Sequence, residues 1–114
     1  MRHLLAHASG LGFDEGAAIS KPERRRVYSN AGFDLLGALV SERSGTPFDR
    51  YVAEAVFEPL GMHASSIDGT PSAGGVGPLS DLLRFARELL LPTLIAPATL
   101  ALATRGVRSA VVRF

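Results

Sequence analysis

A tyrosine, a serine and an asparagine stand in a row at positions 28 to 30, directly after Arg24-Arg25-Arg26 and directly before an apolar stretch that opens at Ala31. A phenol can take up and pass on a proton when neighbouring cations draw its pKa down from about 10 toward neutrality. An asparagine two residues on can present its amide to the same cavity. Tyr28 and Asn30 are therefore candidate catalytic residues. A Tyr-x-Asn triplet is also short enough to recur by chance, and it has a structural explanation in which Tyr28 packs and Asn30 caps the following helix. On these three residues alone both explanations stand.

Other groupings carry less. His3 and His7 are four apart, so on a helix they share a face and could bind one metal ion. Between them lie Leu4, Leu5 and Ala6, with no glutamate to act as a base, and the only other histidine is His63. A histidine metal site is thus the weakest functional alternative, and no metal or cofactor is expected. Gly74-Gly75-Val76-Gly77 has the composition of a phosphate loop without the Lys-Ser or Lys-Thr pair that should follow, and is expected to be a turn. No serine has the Gly-x-Ser-x-Gly flanks of an esterase elbow.

The elements that must position these residues follow from periodicity and breakers. The opening MRHLLAHASGLG reads as a short helix with Leu4, Leu5 and Ala8 on its apolar side, ended by Gly10 and Gly12. A polar loop runs to about Pro22. From Ala31 to Arg43 Phe33, Leu36, Leu39 and Val40 line one side and Asp34, Ser41 and Glu42 the other, with Asn30 as cap and Gly45 as stop. The spacing predicts a second helix over Pro47 to Phe57, capped by Thr46, with Phe48, Tyr51, Val52, Ala55 and Val56 on its apolar face and Pro59 and Gly61 as stops. Residues 65 to 77 read as loop with a short strand. Leu79 to Leu90 then forms a third main helix after Pro78, with Leu79, Leu82, Leu83, Ala86, Leu89 and Leu90 facing inward and Asp81, Arg84, Arg87 and Glu88 facing outward. A last helix over Pro97 to Thr104 and a strand in the tail GVRSAVVRF complete the chain.

At 114 residues and 46% hydrophobic content the chain suits one domain with a modest core, taken as 1–114. A net charge of +1 predicts no nucleic-acid footprint, and the arginine run reads as a solvated loop. The absence of cysteine excludes disulfides, thiolate metal sites and a cysteine nucleophile. No segment approaches the roughly 20 apolar residues of a membrane span, and the first dozen residues lack the apolar core of a signal peptide. As written, the chain is expected to be soluble.

Read together and in order, RHLLAHASGL (2 to 11), YSNAGFDLLGALVSERSGTPFDRYVAEAVFEPLGM (28 to 62) and AGGVGPLSDLLRFARELL (73 to 90) resemble the penicillin-recognising serine hydrolases. That family comprises class C beta-lactamases, D-alanyl-D-alanine carboxypeptidases and related esterases. The resemblance implies acyl transfer on a small amide or ester, with Tyr28 as the proton-transfer tyrosine and Asn30 orienting the substrate. It implies a chain that is mainly α as given, the helical subdomain of an α/β fold, lacking most of its antiparallel sheet. The family's nucleophile is the serine of Ser-x-x-Lys, and its third element is a Lys-Thr-Gly or His-x-Gly strand. Neither occurs here: the only lysine, Lys21, has Ala18 three residues before it, and no histidine has a glycine two residues on. The loop between Leu11 and Pro22 is also short beside the family pattern. The chain is thus expected to be a middle segment, inactive alone, or a remnant that has lost its chemistry. The alternative from another class is a non-catalytic helical interaction module that self-associates through apolar faces missing their covering sheet.

Overall fold

The computed structural model describes residues 1–14 and 17–105. Helix α1 spans Arg2–Leu5, α2 Asn30–Ser44 and α3 Phe48–Val52. A π turn over Ala53–Phe57 joins α3 to the short α4, Glu58–Leu60. After α4, strands β1 (Ser66–Ile67) and β2 (Gly75–Val76) pair antiparallel, with Ser66 opposite Val76 and Ile67 opposite Gly75. Helices α5 (Leu79–Leu90) and α6 (Pro97–Thr104) follow. The mainly helical expectation holds, as do the short strand within 65 to 77 and the last helix. The tail 106–114, expected as a strand, lies outside the described residues.

Three local expectations are corrected. The opening helix stops at Leu5, far short of Gly10, because His7 takes a φ of 55°. A left-handed residue cannot continue a right-handed helix. Leu4 and Ala8 are buried as expected, whereas Leu5 is exposed. Thr46 does not cap α3: the capping position is Pro47, without a side-chain hydrogen bond, and the Thr46 N–H goes to Ser44 Oγ at 3.2 Å. Pro59 does not stop the helix either, since it sits in the first turn of α4 and the chain turns away at Gly61, φ 70°. A proline inside a helix has no N–H to donate and crowds the carbonyl four residues back. Here the turn ahead of Pro59 opens to the π spacing, and Met62 donates its N–H to the Phe57 carbonyl at 2.8 Å.

Among the described residues the buried apolar side chains are Leu4 and Ala8, on the side where α1 meets α2, and Met62, just past the end of α4. Gly45, φ 69°, closes α2 in the left-handed conformation that a side chain would strain.

Helix α5 reverses its expected orientation. Asp81 and Glu88, assigned to the outer face, are buried, while Leu79, Leu82, Leu83, Leu89 and Leu90 are each at least 48% exposed. Residues 81 and 88 are seven apart and therefore lie on one stripe of the helix, and that stripe is tied down by hydrogen bonds. Asp81 Oδ2 accepts from the Ala64 N–H at 3.0 Å and from Ser65 Oγ at 2.8 Å. Glu88 accepts from the N–H groups of Thr93 and Leu94, both at 2.7 Å, and from Thr93 Oγ1 at 2.7 Å. A buried carboxylate is tolerated when donors satisfy it, and backbone donors at both ends of α5 do so.

The Leu94 N–H, ahead of the Thr93 donors, holds the Glu88 carboxyl below its ordinary 4.5, against an opposing effect of burial. Its folded pKa is depressed, so the stability it contributes is present above about pH 4.5 and is lost as pH falls through the lower folded value. Glu88→Gln is expected to flatten that acid limb of a stability–pH profile followed by thermal melting. An identical acid limb in the variant would refute the assignment.

Candidate active site

The Tyr28 triplet is held from three sides, and its middle residue does the holding. Ser29 is 1% exposed and extended, with φ −134° and ψ 108°. Its Oγ donates to the Gly12 carbonyl at 2.6 Å and accepts the Gly32 N–H at 2.9 Å. Ser29 is thus the cap of α2, in place of the expected Asn30, which opens the helix as its first residue. The Ser29 N–H donates to His7 Nδ1 at 3.1 Å. Alternation along an extended segment sends Ser29 inward and Tyr28 outward.

Tyr28 is 63% exposed, so packing does not explain it. Its ring lies 4.7 Å from the His7 ring, tilted by 33°, and 5.8 Å from the Phe13 ring. His7 in turn touches Phe33 of α2 at 5.0 Å between centroids. Asn30 donates its amide to Asp14 Oδ1 at 3.1 Å, and Ala31 gives its N–H to the Phe13 carbonyl at 3.0 Å. The loop carrying Phe13 and Asp14 is therefore stitched to the start of α2. One Asn30 amide hydrogen is used in this way, and among the described residues Asp14 is the only side-chain partner of that amide.

His3 and His7 do not form the helical pair that a metal site needs. His7 has left the helix, its Nδ1 is occupied by Ser29, and His3 Nδ1 lies 3.6 Å from a Glu23 oxygen. No cluster of three metal-ligating side chains occurs among the described residues. Burial first, and the Arg26 guanidinium second, push the His7 imidazole below its usual value. The arginine run itself is exposed. Among the described residues no helix is long and apolar enough to cross a membrane.

Ser29, His7 and Asp14 are the site residues that sequence reasoning missed. Ser29 had a legible signal, because serine is as good a cap as asparagine and either could start this helix. In the sequence His7 reads only as half of a histidine pair, and nothing in the spacing marks a left-handed histidine.

This assembly of short helix, loop, Tyr-Ser-Asn and long helix matches known proteins along almost its whole length. The Beta-lactamase family model matches residues 1–113. The chain belongs to the beta-lactamase family. A beta-lactamase from Mycobacterium bovis superposes with a TM-score of 0.84 at 45% identity, over 88% of this chain and 38% of that one. Simvastatin synthase from Aspergillus terreus has the same fold, with a TM-score of 0.81 at 19% identity over 89% of this chain and 40% of that one. A putative D-alanyl-D-alanine carboxypeptidase of Escherichia coli K12 is 40% identical over 42 residues, covering 37% of this chain and 10% of that protein. The chain therefore spans well under half the length of these relatives, and what it presents of the beta-lactamase fold is a mainly helical part with a two-stranded ribbon.

Proposed function

We propose that residues 1–114 form one partial beta-lactamase-family domain whose parent reaction is acyl transfer on a small amide or ester. In that reaction a serine oxygen, supplied from outside this chain, attacks the substrate carbonyl. Its proton passes by way of Tyr28 to the leaving amine or alcohol, an acyl-serine ester forms, and water then hydrolyses the ester. Asn30 holds the substrate amide or ester through its side-chain amide. The observation that carries this reading is the solvent-facing Tyr28 ring, fixed beside Asn30 by a fully buried serine. With a net charge of +1 no nucleic-acid partner is proposed, and no step requires a cofactor.

Turnover needs an activated nucleophile, and no serine in this chain has a lysine three residues on. The purified chain is expected to leave a chromogenic cephalosporin and a short-chain nitrophenyl ester unhydrolysed, and to form no covalent adduct with a penicillin or phosphonate by intact mass. A chimera in which it replaces the matching segment of the M. bovis beta-lactamase is expected to hydrolyse one of them. Turnover by the chain alone, abolished by changing one serine, would overturn its assigned inactivity, and an inert but folded chimera would overturn the hydrolase assignment. The exposed leucines of α5 favour a second reading, a helical module that associates with itself. A folded, inert chimera together with a stable dimer of the chain in sedimentation would favour it.

A further inference from the structure

We infer that His7 is a positioning residue for Tyr28, gripping the backbone on both sides of it and setting the seat of its ring. This rests on the proposed role of Tyr28. The His7 carbonyl accepts the Val27 N–H at 2.9 Å, and its Nδ1 accepts the Ser29 N–H at 3.1 Å. One residue thereby bonds alternate amides, as a neighbouring strand would, and fixes the direction of the residue between them. The imidazole is also the surface on which the Tyr28 ring lies, 4.7 Å away, with Phe33 closing its other contact at 5.0 Å. The left-handed backbone at His7, φ 55°, is what turns this ring back over the triplet. A non-glycine residue in that region is uncommon, and such conformations gather at functional sites.

The bonding also fixes the protonation state. A neutral imidazole that accepts at Nδ1 carries its hydrogen on Nε2. Protonation would put a second hydrogen on Nδ1, pointing at the Ser29 N–H, and break the grip. The titratable and charged groups around His7 are Arg26 and Tyr28 on the approach segment, with His3 one turn back on α1 against Glu23. Helix α2 meets the ring with Phe33, which does not titrate. Burial and Arg26 both disfavour the imidazolium, so His7 is neutral at pH 7.

The test is NMR on the isotopically labelled full chain, with His7→Asn and His7→Leu beside it. The wild type is expected to show the Nε2–H tautomer. On acidification the Ser29 amide and the Tyr28 ring signals should move together with His7, at one midpoint below 6.5, while the Tyr51 ring stays still. Asparagine tolerates a left-handed backbone and offers an acceptor oxygen. His7→Asn should therefore keep the hydrogen-bonded Ser29 amide shift and lose the coupling of Tyr28 to pH, whereas His7→Leu loses both. An Nδ1–H tautomer, or Tyr28 signals indifferent to the His7 titration, would overturn the proposal. If His7→Leu does not fold, the wild-type tautomer and titration still decide. None of these signals depends on turnover, so the positioning role and the hydrolase reading can fail separately.

Discussion

Tyr28→Phe in the M. bovis chimera is expected to lower kcat by about a hundredfold or more, the scale of losing a positioned proton-transfer group, with little change in KM. A hydroxyl in the proposed proton-transfer role acts on a proton in flight, so its removal would cost the transition state more than the bound substrate. Folding should survive. The ring's contacts with His7 and Phe13 use the face and edge that phenylalanine keeps, and the ring is largely exposed. Tyr51 is the internal control, a 40% exposed member of α3 with no tie to the triplet. Tyr51→Phe should leave kcat within about twofold, the ordinary surface effect. Equal losses from the two variants, in steady-state kinetics on the ester, would strip Tyr28 of its assigned role.

The largest stability effect is expected at a residue that never touches substrate. Ser29→Ala removes the cap of α2 and leaves the Gly12 carbonyl without its donor, in a place that water does not reach. Loss of a cap costs about 1 kcal/mol, and an orphaned buried acceptor adds about 1–2 kcal/mol. A total near 2–3 kcal/mol is a large share of what holds a small domain together. The urea midpoint of the variant should fall accordingly, and a shift worth less than about 0.5 kcal/mol would show that the cap is dispensable. Because the same serine sets where Tyr28 and Asn30 emerge, the variant should also disturb the Asn30–Asp14 bond.

The long helices were legible because their signals are local. Gly45 ends α2 where expected, and α5 and α6 fall within the windows that Pro78, Pro92 and Pro97 delimit. What was not legible depends on partners distant in sequence. The apolar periodicity of α5 says which residues share a face, but not which face the rest of the chain will meet. Asp81 and Glu88 were turned inward by amides of Ala64, Thr93 and Leu94 that no helical pattern records. The site shows the same division. Tyr28 and Asn30 were visible as residue types at a loop-to-helix junction, whereas the bond from Ser29 to His7, 22 residues away, and the contact of Asn30 with Asp14 exist only once the loop has closed.

The π turn at Ala53–Phe57 bears on which changes of length this chain can accept. An i→i+5 turn holds one residue more than an α turn, so everything after it is rotated by about 100° relative to a regular helix. That rotation helps deliver Met62, bonded to Phe57, into the core. Deleting any one residue of 53–57 would tighten the turn, pull Met62 out of its buried seat, and misplace the Ala64 and Ser65 donors that anchor α5. A deletion of the same size within Asp68 to Thr70 would break the hairpin turn's own bonds, from the Asp68 N–H to the Gly74 carbonyl and from the Gly74 N–H to the Thr70 carbonyl, while lying beyond the Ala64 and Ser65 donors. Among homologues, single-residue gaps should therefore avoid the Ala53–Phe57 turn.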